Sequence, residues 1–293
     1  MAPRVLMKLG YNTNGFAHHR LEDTLEILAE LGYESVALTL DWHTLYPGMP
    51  GFDDRTAWLR QQFERLRLDV VIETGGRFLL DPRRKHQPTL LDPEASAREQ
   101  RWRFLAEAIA LAPRLGARIV SLWSGAPVRS EAVEVLWRRL AEGCAALCAV
   151  AEEHDIDLAF EPEPGMLVAT LADFARLRDA VPNRRLGLTL DVGHVHCQEE
   201  GSLPELIHRW RPWLRNVHLE DMRRGIHDHL PFGTGTVPVA EVVSALAASG
   251  YTGGVHVELS RHSHDAVVTA RTSRDFLLAA GWPRPPGKRG DPA

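Results

Sequence analysis

The chain is poor in cysteine, in long apolar runs and in net charge, and each shortage excludes something. Three cysteines occur in 293 residues, Cys144, Cys148 and Cys197. An odd count with no Cys-x-x-Cys pair gives neither a disulfide framework nor a thiolate zinc site, and suggests a reducing, cytoplasmic setting. Cys144 and Cys148 lie four apart in a helical stretch, where they are expected as small buried apolar residues. No apolar run approaches the ~18 residues of a spanning helix, so no membrane partner is expected. The segment after Met1 also lacks the apolar core and small-residue cleavage site of a signal peptide. A formal net charge of −5 argues against life on nucleic acid. What is plentiful is histidine: nine of the fourteen lie beyond position 190.

Strand and helix patterns alternate from end to end, which favours a parallel sheet with crossover helices. The expected strands are 5–10, 35–40, 69–74, 118–123, 157–161, 186–191, 215–219 and 254–259. Helices are expected between them, the fourth starting with Ser130 as its N-cap and the sixth covering 203–213. A glycine-rich loop, 225–235, follows the seventh strand. Eight βα units without a break in composition make a single (β/α)8 TIM barrel over residues 1–282, with a Pro/Gly/charge-rich, flexible tail at 283–293. A doubly wound sheet would need a glycine fingerprint after strand one, and none is there.

In such a barrel the last residues of the strands converge on one cup at the C-terminal face. Those residues are Glu73, Trp123, Glu161, Asp191 with His194, His218 and Glu258. Carboxylates gathered this closely repel one another unless a cation or shared proton neutralises them. Glu161, Asp191, His218 and Glu258 thus form a candidate metal site. Its three carboxylates and one imidazole suit Mn²⁺ best, with Mg²⁺, Co²⁺ or Zn²⁺ as alternatives. Taken singly, each would read as a solvated loop carboxylate or a helix cap; four consecutive strands make the set.

These motifs, Glu161 after an apolar strand, Asp191-Val192-Gly193-His194, Val217-His218-Leu219-Glu220-Asp221, Gly233-Thr234-Gly235 and Glu258, resemble the xylose-isomerase-like sugar isomerase/epimerase superfamily. The resemblance is most specific over 157–260. It implies that Glu161, Asp191, His218 and Glu258 are the metal ligands and that Glu161 and Glu258 are the catalytic acid/base pair. By the same likeness His194 and Arg224 hold substrate oxygens; Trp123 and Glu73, from their strand ends, are expected to line the substrate cup. The implied activity is a divalent-metal-dependent isomerisation or epimerisation of a ketose, keto-polyol or related sugar, by proton abstraction through a stabilised enediolate. A dehydratase using the same cup is the alternative.

A distant branch, endonuclease IV, is disfavoured because strands three and four end in Ile72-Glu73-Thr74 and Leu122-Trp123-Ser124, without histidine. His227 and His229 nevertheless resemble that branch's further ligands, so a second metal with His194, or a substrate-covering loop, is open. The charged run Asp81–His86, on the same face, is a candidate anion contact or a solvated loop. Trp42, Phe78 and Trp123 are candidates for an apolar wall, and Glu163, Arg261, His262 and His264 for residues beside the ligands. The expected partner is a small sugar-like molecule, with a homo-oligomer implied by the relatives.

Overall fold

A computed structural model describes residues 7–283. Eight parallel strands close on themselves: β1 (Lys8–Asn12), β2 (Ser35–Thr39), β3 (Asp69–Glu73), β4 (Ile119–Leu122), β5 (Asp157–Phe160), β6 (Leu186–Asp191), β7 (Leu214–Leu219) and β10 (Gly254–Val257), the last pairing with the first. The connecting helices are α1 (Leu21–Glu30), α2 (Phe52–Leu66), α3 (Ala95–Leu115), α4 (Val133–Glu153), α5 (Leu171–Ala180), α7 (Leu203–Trp210), α8 (Val239–Ser249) and α9 (Ala266–Ala279). The expected (β/α)8 barrel is therefore the fold.

Several boundaries differ. β1 runs on to Asn12 because Tyr11 and Asn12 pair with Val36 and Ala37; the expected start at Val5 and the tail from 284 lie outside the described residues. α4 starts after Ala132, not Ser130, and has no side-chain cap. The sixth helix ends at Trp210 and tightens into a 3₁₀ turn, Arg211–Trp213, around Pro212. Two elements were not foreseen. A short helix, α6 (Val192–Gln198), follows β6 without a loop. The 225–235 loop is partly a hairpin, β8 (Asp221–Arg223) with β9 (Ile226–Leu230).

The core lies between the barrel and its helices, where Leu25, Leu28, Phe63, Leu105, Leu140, Phe174 and Leu246 are buried against the strands. The inside of the barrel is different. Ser35, Ser121, Thr189, Asn216 and His256 are all buried there. Ser121 and Thr189 share a 3.0 Å hydrogen bond, and His256 bonds Ser35 through Nε2 at 2.8 Å and Asn216 through Nδ1 at 3.0 Å. Burial pushes His256 down to about 3, so the ring is neutral.

Room for this imidazole comes from glycine. A Cβ on Gly10 would sit 2.3 Å from His256 Cδ2, and one on Gly254 2.4 Å from Cε1. Gly10→Ala is expected to cost about 1–3 kcal/mol by overpacking. Urea unfolding would show it as a lower midpoint with an unchanged slope; an unchanged midpoint would refute it.

Candidate functional site

At the C-terminal mouth of the barrel is a cup of about 510 Å³, lined by Glu73, Trp123, Glu161, Glu163, His194, His218, His227, His229 and Glu258 among others. Its floor is set by strand register. Asp191 of β6 and His218 of β7 are direct cross-strand partners, and His256, two residues before Glu258, pairs with His218 on the other side. Donor atoms of Glu161, Asp191, His218 and Glu258 lie within 4.8 Å of one another. His218 Nδ1 stands 3.2 Å from Glu161 Oε1, 2.9 Å from Glu258 Oε2 and 3.9 Å from Asp191 Oδ2. The four residues expected to form the site are brought together.

Asp191, Glu258 and His218 are each held by a further group. Asp191 is the N-cap of α6: its Oδ1 accepts the His194 amide at 2.7 Å, and its Oδ2 is buried with no partner among the described residues. The Asp191-x-x-His194 motif is thus a strand that turns directly into a helix. His194 donates Nδ1–H to the Pro162 carbonyl at 3.2 Å, which leaves Nε2 facing inward and unpartnered. Glu258 accepts from Asn14 Nδ2 at 2.8 Å. Asn14 was missed in the sequence, where it reads only as a turn residue after β1.

Two expected substrate contacts are held by other partners. Glu73 lines the cup, and its Oε1 accepts from His218 Nε2 at 2.9 Å and from Asn216 Nδ2 at 3.0 Å. That is the carboxylate–histidine arrangement that fixes a ligand's tautomer and points Nδ1 at a metal. Arg224 is turned away from the cup. Its guanidinium donates to the carbonyls of His196, Glu199 and Gly201 at the end of α6, because the hairpin carries it outward. Trp123 does line the cup, under the Arg101 guanidinium at 4.5 Å. Of the other proposed wall residues, Phe78 reaches the cup while Trp42 lies against Tyr46 outside it.

The hairpin places the remaining histidines over the floor. Asp221 is buried, and its two oxygens accept the amides of Met222, Gly233, Gly235 and Val237 at 2.9–3.0 Å. A Cβ on Gly235 would collide with this carboxylate at 2.3 Å, which accounts for the Gly-Thr-Gly motif. Donor atoms of His194, His227 and His229 come within 4.8 Å of one another, as do those of Asp191, Glu220 and His229. Glu220 is completely buried, and neither of its oxygens has a hydrogen-bond partner among the described residues. Gly193 makes space for it, since a Cβ there would lie 1.9 Å from Glu220 Oε1.

The electrostatics follow from crowding. Burial pushes Glu161 well above the usual carboxylate range, against the pull of His218. Burial also opposes ionisation of Glu258, but the charge and hydrogen bond of His218, with His229 and Asn14, outweigh it and hold the carboxyl below its ordinary value. His218 is raised despite burial because Glu258, Glu73 and Glu161 surround it. Burial pushes Glu220 well up, reinforced by Asp191, and takes His194 down to about 4. The floor is thus a nest of carboxyl groups gathered round one imidazole. The set fits a hard divalent cation: oxygen-rich, mutually close, and with an unpartnered buried oxygen on Asp191.

A family model described as a xylose isomerase-like TIM barrel matches residues 25–280. The chain belongs to that family. Among curated proteins this family member is 25% identical over 263 residues to the L-ribulose-5-phosphate 3-epimerase of Escherichia coli K12, covering 88% of each chain. Among solved structures it resembles an L-ribulose 3-epimerase, with a TM-score of 0.76, 20% identity, and 94% and 96% of the two chains covered. It also resembles D-psicose 3-epimerase from Clostridium cellulolyticum H10, with a TM-score of 0.75, 17% identity, and 94% and 99% covered.

Glu73→Gln is expected to weaken Mn²⁺ binding by about 10–100-fold, since an amide can no longer hold His218 Nε2–H as a carboxylate does. Isothermal titration of the metal-free protein would measure it, and wild-type affinity would contradict the orienting role.

Proposed function

We propose that this protein is a divalent-metal-dependent ketose epimerase or isomerase in which Glu161 and Glu258 carry the proton. One observation bears most of the weight: three buried carboxylates and one imidazole offer donor atoms within 4.8 Å of one another on the floor of a substrate-sized cup. Glu161, Asp191, His218 and Glu258 would hold the ion, and Mn²⁺ suits them best, with Mg²⁺ and Co²⁺ close behind. When bound it would supply Lewis-acid polarisation of a substrate carbonyl. Similarity to 3-epimerases of L-ribulose 5-phosphate and L-ribulose supports a ketose and epimerisation at carbon 3.

The residues then divide the chemistry. Glu161 and Glu258 come from β5 and β10, separated by β6 and β7 in the barrel, so they can flank a substrate. One carboxylate takes the proton from carbon and the other, already protonated, delivers its own proton to the opposite face, which inverts the centre. Their surroundings push the two carboxyls in opposite directions, as an acid and a base require. Asn14 holds Glu258 in place, and the inward Nε2 of His194 is free to hold a substrate oxygen. Trp123 offers an apolar face. At the rim, Arg77, Lys85 and Arg261 line the cup and would meet the far, anionic end of a phosphorylated sugar; of these, Lys85 belongs to the charged run after β3.

A second ion is a further reading of the same cup. It is favoured by the unpartnered, buried Nε2 of His194 and oxygens of Glu220 beside His227 and His229. Metal analysis separates the cases: two equivalents per chain support it, and one equivalent excludes it. Elimination, the alternative use of the cup, would be betrayed by loss of water in the product.

Glu161→Gln and Glu258→Gln are each expected to slow solvent-deuterium incorporation into ketoses by about 10²–10⁴-fold with the fold retained. NMR across a panel of free and phosphorylated ketoses would show this, and near wild-type exchange in either variant would disprove the assignment. Chelation should abolish exchange and added Mn²⁺ restore it; exchange that survives exhaustive chelation would rule out the metal's role.

A further inference from the structure

One buried polar chain inside the barrel runs up to Glu73 and His218 through three residues that the chemistry above does not use. It starts at Ser35 on β2, passes through His256 on β10 and Asn216 on β7, and ends at Glu73 and His218. All five residues are buried, and Asn216 and His256 are completely so. Polar groups inside a barrel are costly unless every one is satisfied, so the direction of each bond is informative.

The directions can be worked out from the carboxylate backwards. Glu73 Oε1 faces both His218 Nε2 and Asn216 at hydrogen-bond distance, and the Asn216 NH₂ is the group that donates to it at 3.0 Å. Asn216 Oδ1 then faces His256 Nδ1 at 3.0 Å, which must donate. His256 Nε2 is left to accept from the Ser35 hydroxyl at 2.8 Å. Flipping the Asn216 amide would set an oxygen against Glu73 Oε1 and lose that bond, while His256 would change tautomer to keep its bonds to Asn216 and Ser35. The chain is therefore polarised one way along its whole length. Glu73 Oε1 sits where the Asn216 NH₂ and His218 Nε2–H both reach it, and His218 Nδ1 is consequently turned to Glu161, Asp191 and Glu258.

We infer that Asn216 and His256 are positioning residues: by fixing the Asn216 amide, His256 fixes Glu73, and through Glu73 the tautomer and aim of His218. Neither residue touches the cup, since neither contributes to its lining. The glycines on either side of His256 serve this arrangement, because they allow the ring to lie across the barrel axis between Ser35 and Asn216. The inference rests on the metal reading of the Glu161, Asp191, His218 and Glu258 set.

The test uses the full-length, metal-free protein titrated with Mn²⁺, with the thermal melt of each metal-free variant recorded alongside. Asn216→Ala is expected to weaken Mn²⁺ binding by about tenfold or more, the range seen when groups behind a ligand are removed. His256→Leu, of similar bulk but without polar atoms, should weaken it by at least about threefold, and serves if the first variant does not fold. Ser121→Ala is the control: it breaks the Ser121–Thr189 bond in the same interior, bonds none of the five residues of the chain itself and reaches Asn216 only through the 3.5 Å contact of Thr189, and should leave affinity unchanged. Wild-type affinity in a folded Asn216 or His256 variant overturns the inference. So does an equal loss in the Ser121 variant, which would mean general loosening of the barrel. A wild-type protein that takes up no Mn²⁺ overturns the metal reading itself, and this inference with it.

Discussion

Three carboxylates buried within a few ångströms of each other cannot all stay ionised without positive charge among them. That constraint organises the C-terminal face of this barrel. His218 stands at its centre, within 4 Å of Glu161, Asp191 and Glu258 on one side and bonded to Glu73 on the other. The neighbouring features answer the same constraint. Asp191 gives one oxygen to a helix N-terminus, Glu258 takes an amide from Asn14, and Glu73 accepts from Asn216. A cation bound on the floor would complete what the imidazole alone does only in part.

The fold was legible because it depends on local pattern. Apolar strands ending in polar residues, helices ending in glycine and short loops recur along the chain, and these local preferences agree with the barrel. The four floor residues were legible for the same reason: each sits at or just beyond a strand end, and a closed parallel barrel brings strand ends to one level. Asp191 and His218 are register partners, so the strand pattern was enough to pair them.

What could not be read depends on orientation across the barrel. Glu73 and Arg224 occupy plausible positions in sequence, yet one turns sideways to His218 and the other outward to the carbonyls of α6. Side-chain direction of that kind is decided by non-local neighbours. Asn14 reads as a turn residue until β1 and β10 are laid side by side. The polar interior was hidden too, because Ser35, Asn216 and His256 lie within strands whose alternation says only that a side chain points inward. The hairpin over the cup was masked by its glycines, which look like loop until Asp221 is seen to gather their amides.

Asp221 has a consequence for how such a cup can change. It fastens the hairpin at its base through four main-chain amides, so what it holds is backbone, indifferent to most side chains beyond it. The stretch carrying His227 and His229 is thus built like a detachable jaw on a fixed hinge pin. Its tip can be rewritten, and the molecules it admits exchanged for others, while the carboxylate floor beneath keeps its geometry.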